Sequence, residues 1–277
     1  MLKKVNNNLQ FLDGPKCLLG ESPVWLKKEK TISWIDILKK KIYFYNTVTQ
    51  KLIKVSLKEK PGFIESYNVK SIIIGLESGL YLYDFKKNFF KILCRFKKNN
   101  FRVNDGYYDK NKRIWFNLYD EKKKLPGSLN FYYKNKITKI ASDLLTPNGP
   151  IIHYRTKKIF FTDTRKKIIY SKDLNNLRKK RKIFFSYGAS NIGSPDGMQI
   201  VKDNLWVAFY RGSSIKVINL LGKIKKTIKL PTSLVTNLTF CDKNKKSFFI
   251  TTAYKDLSKK QLKKETLAGN LLLYKFR

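Results

Sequence analysis

A chain of 277 residues with 42% hydrophobic and 14% aromatic side chains can bury a substantial core, which excludes an intrinsically disordered protein. Its formal charge of +39 comes from 59 Lys and Arg against 20 Asp and Glu, and only nine of the basic residues are Arg. Lysine spread over nearly every loop, with few of the planar guanidinium forks that read bases and phosphates, indicates a solvated basic surface and argues against specific nucleic-acid recognition.

The first ten residues hold two lysines and three asparagines and no apolar stretch of seven or more, so no secretory signal is expected. No apolar run approaches the roughly 20 residues of a membrane helix, so no membrane partner is expected either. Cys17, Cys94 and Cys241 are odd in number, far apart and without CxxC spacing, which points to neither a disulfide scaffold nor a thiolate metal site. The simplest reading is a reduced, cytoplasmic protein, monomeric or a small homo-oligomer.

In chain order, residues 9–18 read as a strand left over at the N-terminus. Short apolar strands then appear at Ile32 to Ile37, Ile72 to Leu76, Ile114 to Leu118, Ile159 to Thr162, Leu205 to Phe209 and Phe248 to Thr252. Their starts are separated by 40, 42, 45, 46 and 43 residues. Each is followed after a turn by a second strand, such as KIYFYN from Lys41, GLYLYD from Gly79 or SIKVIN from Ser214. Leu257 to Leu267 is the best helical pattern, short enough to be a loop or a single turn.

Repeats of about 40 to 50 residues built of short strands are the signature of a β-propeller. Six of them predict an all-β, six-bladed propeller in a single domain spanning 1–277. An unpaired edge would expose hydrogen-bonding groups, so the N-terminal strand is expected to close the ring by pairing with the last blade.

Residues at one register of successive blades converge on one mouth of the central channel. Asn104 and Asn148 are 44 residues apart, Asn148 and Asp196 are 48, and Glu21 precedes Asn104 by 83, about two repeats; Asn237 matches as well. In isolation Asp105-Gly106, Asn148-Gly149 and Asp196-Gly197 are ordinary turn signals. Turn chemistry does not require a common register. Carboxylates and carboxamides that converge in a confined channel are poorly solvated unless compensated, and a hard divalent cation compensates them with the ligand oxygens it prefers: Ca²⁺, Mg²⁺ or Mn²⁺, with Zn²⁺ also accepting such a set.

The motifs Gly20-Glu21-Ser22-Pro23, Gly75-Leu76-Glu77-Ser78-Gly79-Leu80-Tyr81, Arg102-Val103-Asn104-Asp105-Gly106, Asn148-Gly149 with Phe161-Thr162-Asp163, and Pro195-Asp196-Gly197-Met198 with Leu205-Trp206-Val207 stand in order along nearly the whole chain. As a set they resemble the regucalcin (senescence marker protein) and gluconolactonase family. That resemblance implies metal-dependent hydrolysis of a sugar (aldono) lactone to the free sugar acid, with one divalent cation as cofactor and the lactone as partner. Carried over by motif, Glu21, Asn148 and Asp196 would hold the metal, Asp196 would also be the general base, and Arg102, Asn104 and Glu121 would contact the sugar. Asn117-Leu118-Tyr119 stands where the family often has Gly-Thr-Met, which alters one wall of the pocket. The rival reading is a propeller that binds a cation or metabolite without turnover. His153, the sole histidine, is expected to be a packed or edge residue.

Overall fold

The structure is a computed structural model that describes residues 1–96, 100–122 and 124–276. It forms six twisted antiparallel sheets. The first blade is β3 (Gly20–Leu26), β4 (Thr31–Asp36), β5 (Lys41–Asn46) and β6 (Leu52–Ser56). The second is β7 (Pro61–Ser66), β8 (Ser71–Leu76), β9 (Gly79–Asp84) and β10 (Phe89–Arg95), and the third is β11 (Phe101–Tyr108), β12 (Ile114–Asp120), β13 (Gly127–Tyr133) and β14 (Lys136–Leu144). The fourth is β15 (Pro147–His153), β16 (Lys158–Asp163), β17 (Ile168–Asp173) and β18 (Lys182–Ser186), and the fifth is β19 (Ser194–Val201), β20 (Asn204–Tyr210), β21 (Ser214–Asn219) and β22 (Ile224–Lys229). The sixth combines β23 (Val235–Phe240), β24 (Ser247–Thr252) and β25 (Leu272–Lys275) with two N-terminal strands, β2 (Leu9–Leu12) and β1 (Leu2–Lys4). A six-bladed β-propeller results, as the repeat length predicts.

Closure follows the expected route, because β2 pairs with β25. Two details differ. Only the first four residues of the expected 9–18 strand are extended in the sheet, and β1 adds a fifth strand outside β2. The segment read as a loop or single turn holds a six-residue helix, α1 (Lys259–Lys264), capped by Ser258, whose Oγ accepts from the Gln261 N–H. Among the described residues no helix is long and apolar enough to cross a membrane.

The hydrophobic residues divide into six clusters, one in each seam between neighbouring blades. In β4, Ile32 and Trp34 face the sixth blade while Ile35 faces the second. Strands buried on both sides must be apolar throughout, which is why the second and third strands of each blade stand out in the sequence. The outermost strands cover little and carry lysines: β22 reads IKKTIK and is exposed at five of its six positions.

Candidate functional site

The six innermost strands β3, β7, β11, β15, β19 and β23 lie side by side around the axis, each touching the next and β23 touching β3. Every one of them carries a bulge against its neighbour within the blade, at Glu21/Val24, Pro61/Phe63, Val103/Gly106, Asn148/Ile151, Pro195/Met198 and Val235/Asn237. A bulge bends its strand and re-aims the side chains beside it. The Asn-Gly and Asp-Gly pairs that read as turns are therefore bulges within inner strands, and the polar register of the repeat is the bulge register.

Structural aspartates at the ends of second strands fix the approach to this register. Asp36 accepts from the Leu18 and Leu19 N–H groups (2.8 and 3.3 Å), two residues ahead of Glu21. Asp163 does the same for Leu145 and Thr146 (2.8 and 3.1 Å), two residues ahead of Asn148. At the bulges themselves Ser22 and Gly149 take positive φ, 47° and 54°. A Cβ on Gly149 would stand 2.9 Å from the Asp196 carbonyl oxygen, so only glycine lets β15 and β19 approach here.

The register residues are buried and meet across blades. Asn104 Nδ2 donates to the Pro147 carbonyl (2.8 Å) and to Asn148 Oδ1, and Asn148 Nδ2 donates to Thr164 Oγ1 (2.8 Å). Asn237 Nδ2 donates to Glu21 Oε2 (3.2 Å), and its amide lies against Gly197, next to Asp196. Asp105, read from sequence only as part of a turn, is a member of the group: its two oxygens accept from the Gly106 and Gly149 N–H groups, both at 2.8 Å, tying β11 to β15 beside Asn148. Asp196 is 5% exposed and its Oδ1 has no partner among the described residues.

Burial dominates the electrostatics. It raises Glu21 to about 8, helped by the charge of Asp105 and opposed by the Ser22 N–H, the Asn237 amide and Arg102. Burial raises Asp105 to about 6. It lifts Asp196 well above the usual carboxylate range, with Glu21 and Asp105 adding to the effect. Glu65, on β7, is raised to about 8 by burial and by Asp105, and sequence reasoning did not single it out. Left uncompensated, Glu21, Glu65 and Asp196 favour the protonated form, while Asp105 is moved less. Among the described residues no three acidic, histidine or cysteine side chains stand close enough to hold a metal by themselves, so a cation here needs carboxamide oxygen too. An unpartnered buried carboxylate oxygen, a second carboxylate and an amide oxygen suit a hard divalent cation.

Arg102 and Glu121 lie at the adjoining mouth, in a cavity of about 500 Å³ lined also by Glu59, Glu77 and Phe96. Arg102 Nε donates to Glu121 Oε1 (2.8 Å), Nη1 donates to the Val103 carbonyl (2.9 Å), and the guanidinium lies 5.1 Å from the Tyr119 ring centroid. Lys60, absent from the sequence reading, holds the other Glu121 oxygen at 2.6 Å. Burial tends to raise Glu121, but Lys60 and Arg102 outweigh it and keep the carboxyl below its ordinary value. Lys60 precedes the inner strand, outside the register that identified the rest, and a lysine among so many carries no signal. Asn117 is fully buried on β12, and neither of its amide atoms has a partner among the described residues. His153 lies apart from the site: Nε2 is 3.1 Å from Asp203 Oδ1 and Nδ1 is 2.8 Å from Thr156 Oγ1, a link between the fourth and fifth blades.

Residues 19–254 match the family model described as SMP-30/Gluconolactonase/LRE-like region. Regucalcin of Danio rerio is 24% identical over 265 residues, covering 91% of this chain and 88% of that protein. The 6-deoxy-6-sulfogluconolactonase of Pseudomonas putida is 23% identical over 272 residues, covering 96% and 94%. Among solved structures, a calcium-binding regucalcin from Agrobacterium tumefaciens superposes with a TM-score of 0.89 at 19% identity, covering 95% of this chain and 92% of that one. A luciferin-regenerating enzyme gives 0.88 at 20% identity, covering 97% and 95%. With a family model spanning most of the chain and the same six-bladed fold, the chain belongs to the SMP-30/gluconolactonase/LRE-like family.

Proposed function

We propose that the protein hydrolyses a sugar lactone to the free sugar acid. One observation supports the reading: Glu21, Asn148 and Asp196 each sit at the bulge of an inner strand, Asp196 is buried with Oδ1 unpartnered among the described residues, and the charge of Glu21 reaches it. Relatives named for lactonase activity support it.

Glu21, Asn148 and Asp196 would hold one divalent cation. When bound, it supplies compensation for the buried carboxylates and Lewis-acid polarisation of the lactone carbonyl. Asp196 takes the proton of the attacking water as the new carbon–oxygen bond forms, then delivers it to the ring oxygen as the ester bond breaks, so the ring leaves as a hydroxyl. Arg102 would clamp a sugar hydroxyl or balance charge developing on the carbonyl oxygen. Both amide hydrogens of Asn104 are spent on Pro147 and Asn148, which leaves its Oδ1 to accept from a sugar hydroxyl. Glu121, held by Lys60 and Arg102, would offer fixed acceptors to sugar hydroxyls.

The test is a panel of aldonolactones in weak buffer, with Ca²⁺, Zn²⁺, Mg²⁺ or Mn²⁺ supplied singly. Acid release that disappears with chelator and with Asp196→Ala is expected. Hydrolysis that survives both treatments would overturn the assignment. The buried amide of Asn117, where the family often has glycine, favours one second reading, a site that binds a cation or metabolite without turnover. It predicts tight cation binding with no acid release from any lactone.

A further inference from the structure

We propose that the cleft between the first and second blades is a second ligand site, suited to an amphipathic organic anion: an aliphatic or aromatic body bearing one carboxylate, sulfate or phosphate. The cleft measures about 920 Å³, larger than the mouth described above and within the roughly 300–1,000 Å³ of small-molecule sites. Glu21, Asn104, Asn148 and Asp196 do not line it.

Its walls are apolar and aromatic, with Leu26, Phe44 and Val55 on one blade and Tyr81, Tyr83 and Phe90 on the other. Tyr83 and Phe90 stack at 4.3 Å, and Phe44 lies 6.4 Å from Tyr83, so the rings form a wall for an apolar body. The phenols ask for nothing from a ligand, since Tyr83 bonds Asn88 (2.9 Å) and Tyr81 bonds Ser78 (2.7 Å). β6, the outermost strand of its blade, does not cover the opening, and Ile53 at its rim is 49% exposed.

Charge decides the head group. Lys51 and Lys58 stand at the two ends of the β6 side of the cleft, and neither pairs with a carboxylate among the described residues; Lys54, between Ile53 and Val55 on the strand and paired with Tyr43, belongs to the opposite face. Two carboxylates, Glu29 and Glu59, also line the cleft; that of Glu59 is turned onto the Ser78 N–H (2.7 Å), and Glu29 stands at the Lys51 end, which leaves Lys58 as the ammonium with the fewest acidic neighbours in the lining. An apolar body packed against the rings thus places its anionic head at an unpaired ammonium at one end of the cleft.

Titration calorimetry of the full chain with decanoate, and with 1-decanol as the neutral body of equal length, tests this. Saturable decanoate binding near one per chain is expected, with decanol at least tenfold weaker. Lys51→Glu with Lys58→Glu should weaken decanoate about tenfold and leave decanol unchanged, and Ile53→Asp should weaken both. The same reversal at Lys223 and Lys225, exposed on the fifth blade, should change nothing. These substitutions are at exposed sites, and unchanged circular dichroism confirms folding. The proposal is overturned by absence of saturable heat, by decanol binding as tightly as decanoate, by many decanoates per chain, or by equal losses from the two charge reversals.

Discussion

Asp105 separates positioning from ligation. It touches neither sugar nor metal in the proposed mechanism, yet its Oδ2 holds the Gly149 N–H and so fixes the backbone next to Asn148. Asp105→Asn keeps the shape but turns an NH₂ toward one of two buried N–H groups, leaving a donor unsatisfied at a cost of about 1–3 kcal/mol. Supporting groups of this kind typically govern about 10–100-fold in metal affinity. Calorimetric Ca²⁺ titration of Asp105→Asn should show at least a tenfold loss; unchanged affinity would remove Asp105 from this role. The same cluster sets a pH dependence in metal-free protein. Burial above all raises Glu21 from 4.5 to about 8, Glu65 to about 8 and Asp105 to about 6. Their folded-state values lie above the unfolded ones, so the folded state binds more protons across the interval. Stability is then full below about pH 4.5 and falls as pH rises toward 8. With chelator present, Tm should drop over that range, and Glu21→Gln should flatten part of the slope. A chelated protein whose Tm is level from pH 4.5 to 8 would mean that these carboxyls are not held protonated in the folded state.

At the scale of strands, ring closure concentrates a large share of stability in a short segment. β2 lies between β25 and β1, and the backbones around it interlock: Lys275 N donates to Asn8 O (2.8 Å), Leu12 N donates to Leu271 O (2.8 Å), and Asn270 Nδ2 donates to Leu12 O (3.0 Å). Leu9 and Leu12 are nearly fully buried, each contributing about 2 kcal/mol of apolar burial. Removing residues 1–12 should lower Tm by roughly 10 °C or more, at about 2–4 °C per kcal/mol for a domain of this size, and leave a bare β25 edge open to aggregation. Removing residues 1–5 takes away only β1, whose three residues are not buried, and should shift Tm little. Thermal melts of the two truncations decide the matter, and equal losses would place the closure elsewhere. Legibility in the sequence follows the same physics. Ile159 to Thr162 announces a strand because both of its faces are buried, whereas Pro195-Asp196-Gly197 announces a turn because a bulge uses the same residue types. β1, reading Leu-Lys-Lys, has no pattern to find, since the sheet edge it covers asks for backbone hydrogen bonds and not for side chains.

For the molecule as a whole, two kinds of information lie in the chain on different scales. Spacing across blades exposed Glu21, Asn104, Asn148 and Asp196, because a propeller turns a repeat into a ring. Spacing could not reach Lys60, which comes to Glu121 from a connection outside the inner strands, nor separate Asp105 from the turn it imitates. Charge is the other scale: +39, mostly lysine, is spread over loops and outer strands while the site itself collects buried carboxylates. The two should therefore act independently. Dispersed ammonium groups attract any polyanion, with contacts screened beyond about 8 Å at physiological salt and no base readout. On a heparin column the protein should be retained and released by salt, and duplexes of different sequence should bind with equal affinity. Because the surface lysines are remote in function from the axial carboxylates, Glu21→Gln and Asp196→Asn should elute at the wild-type salt concentration even though the mechanism above predicts that Asp196→Asn abolishes lactone hydrolysis. A preferred nucleotide sequence, or elution that moves with either substitution by more than a single added charge explains, would tie the basic surface to the axial site and refute their independence.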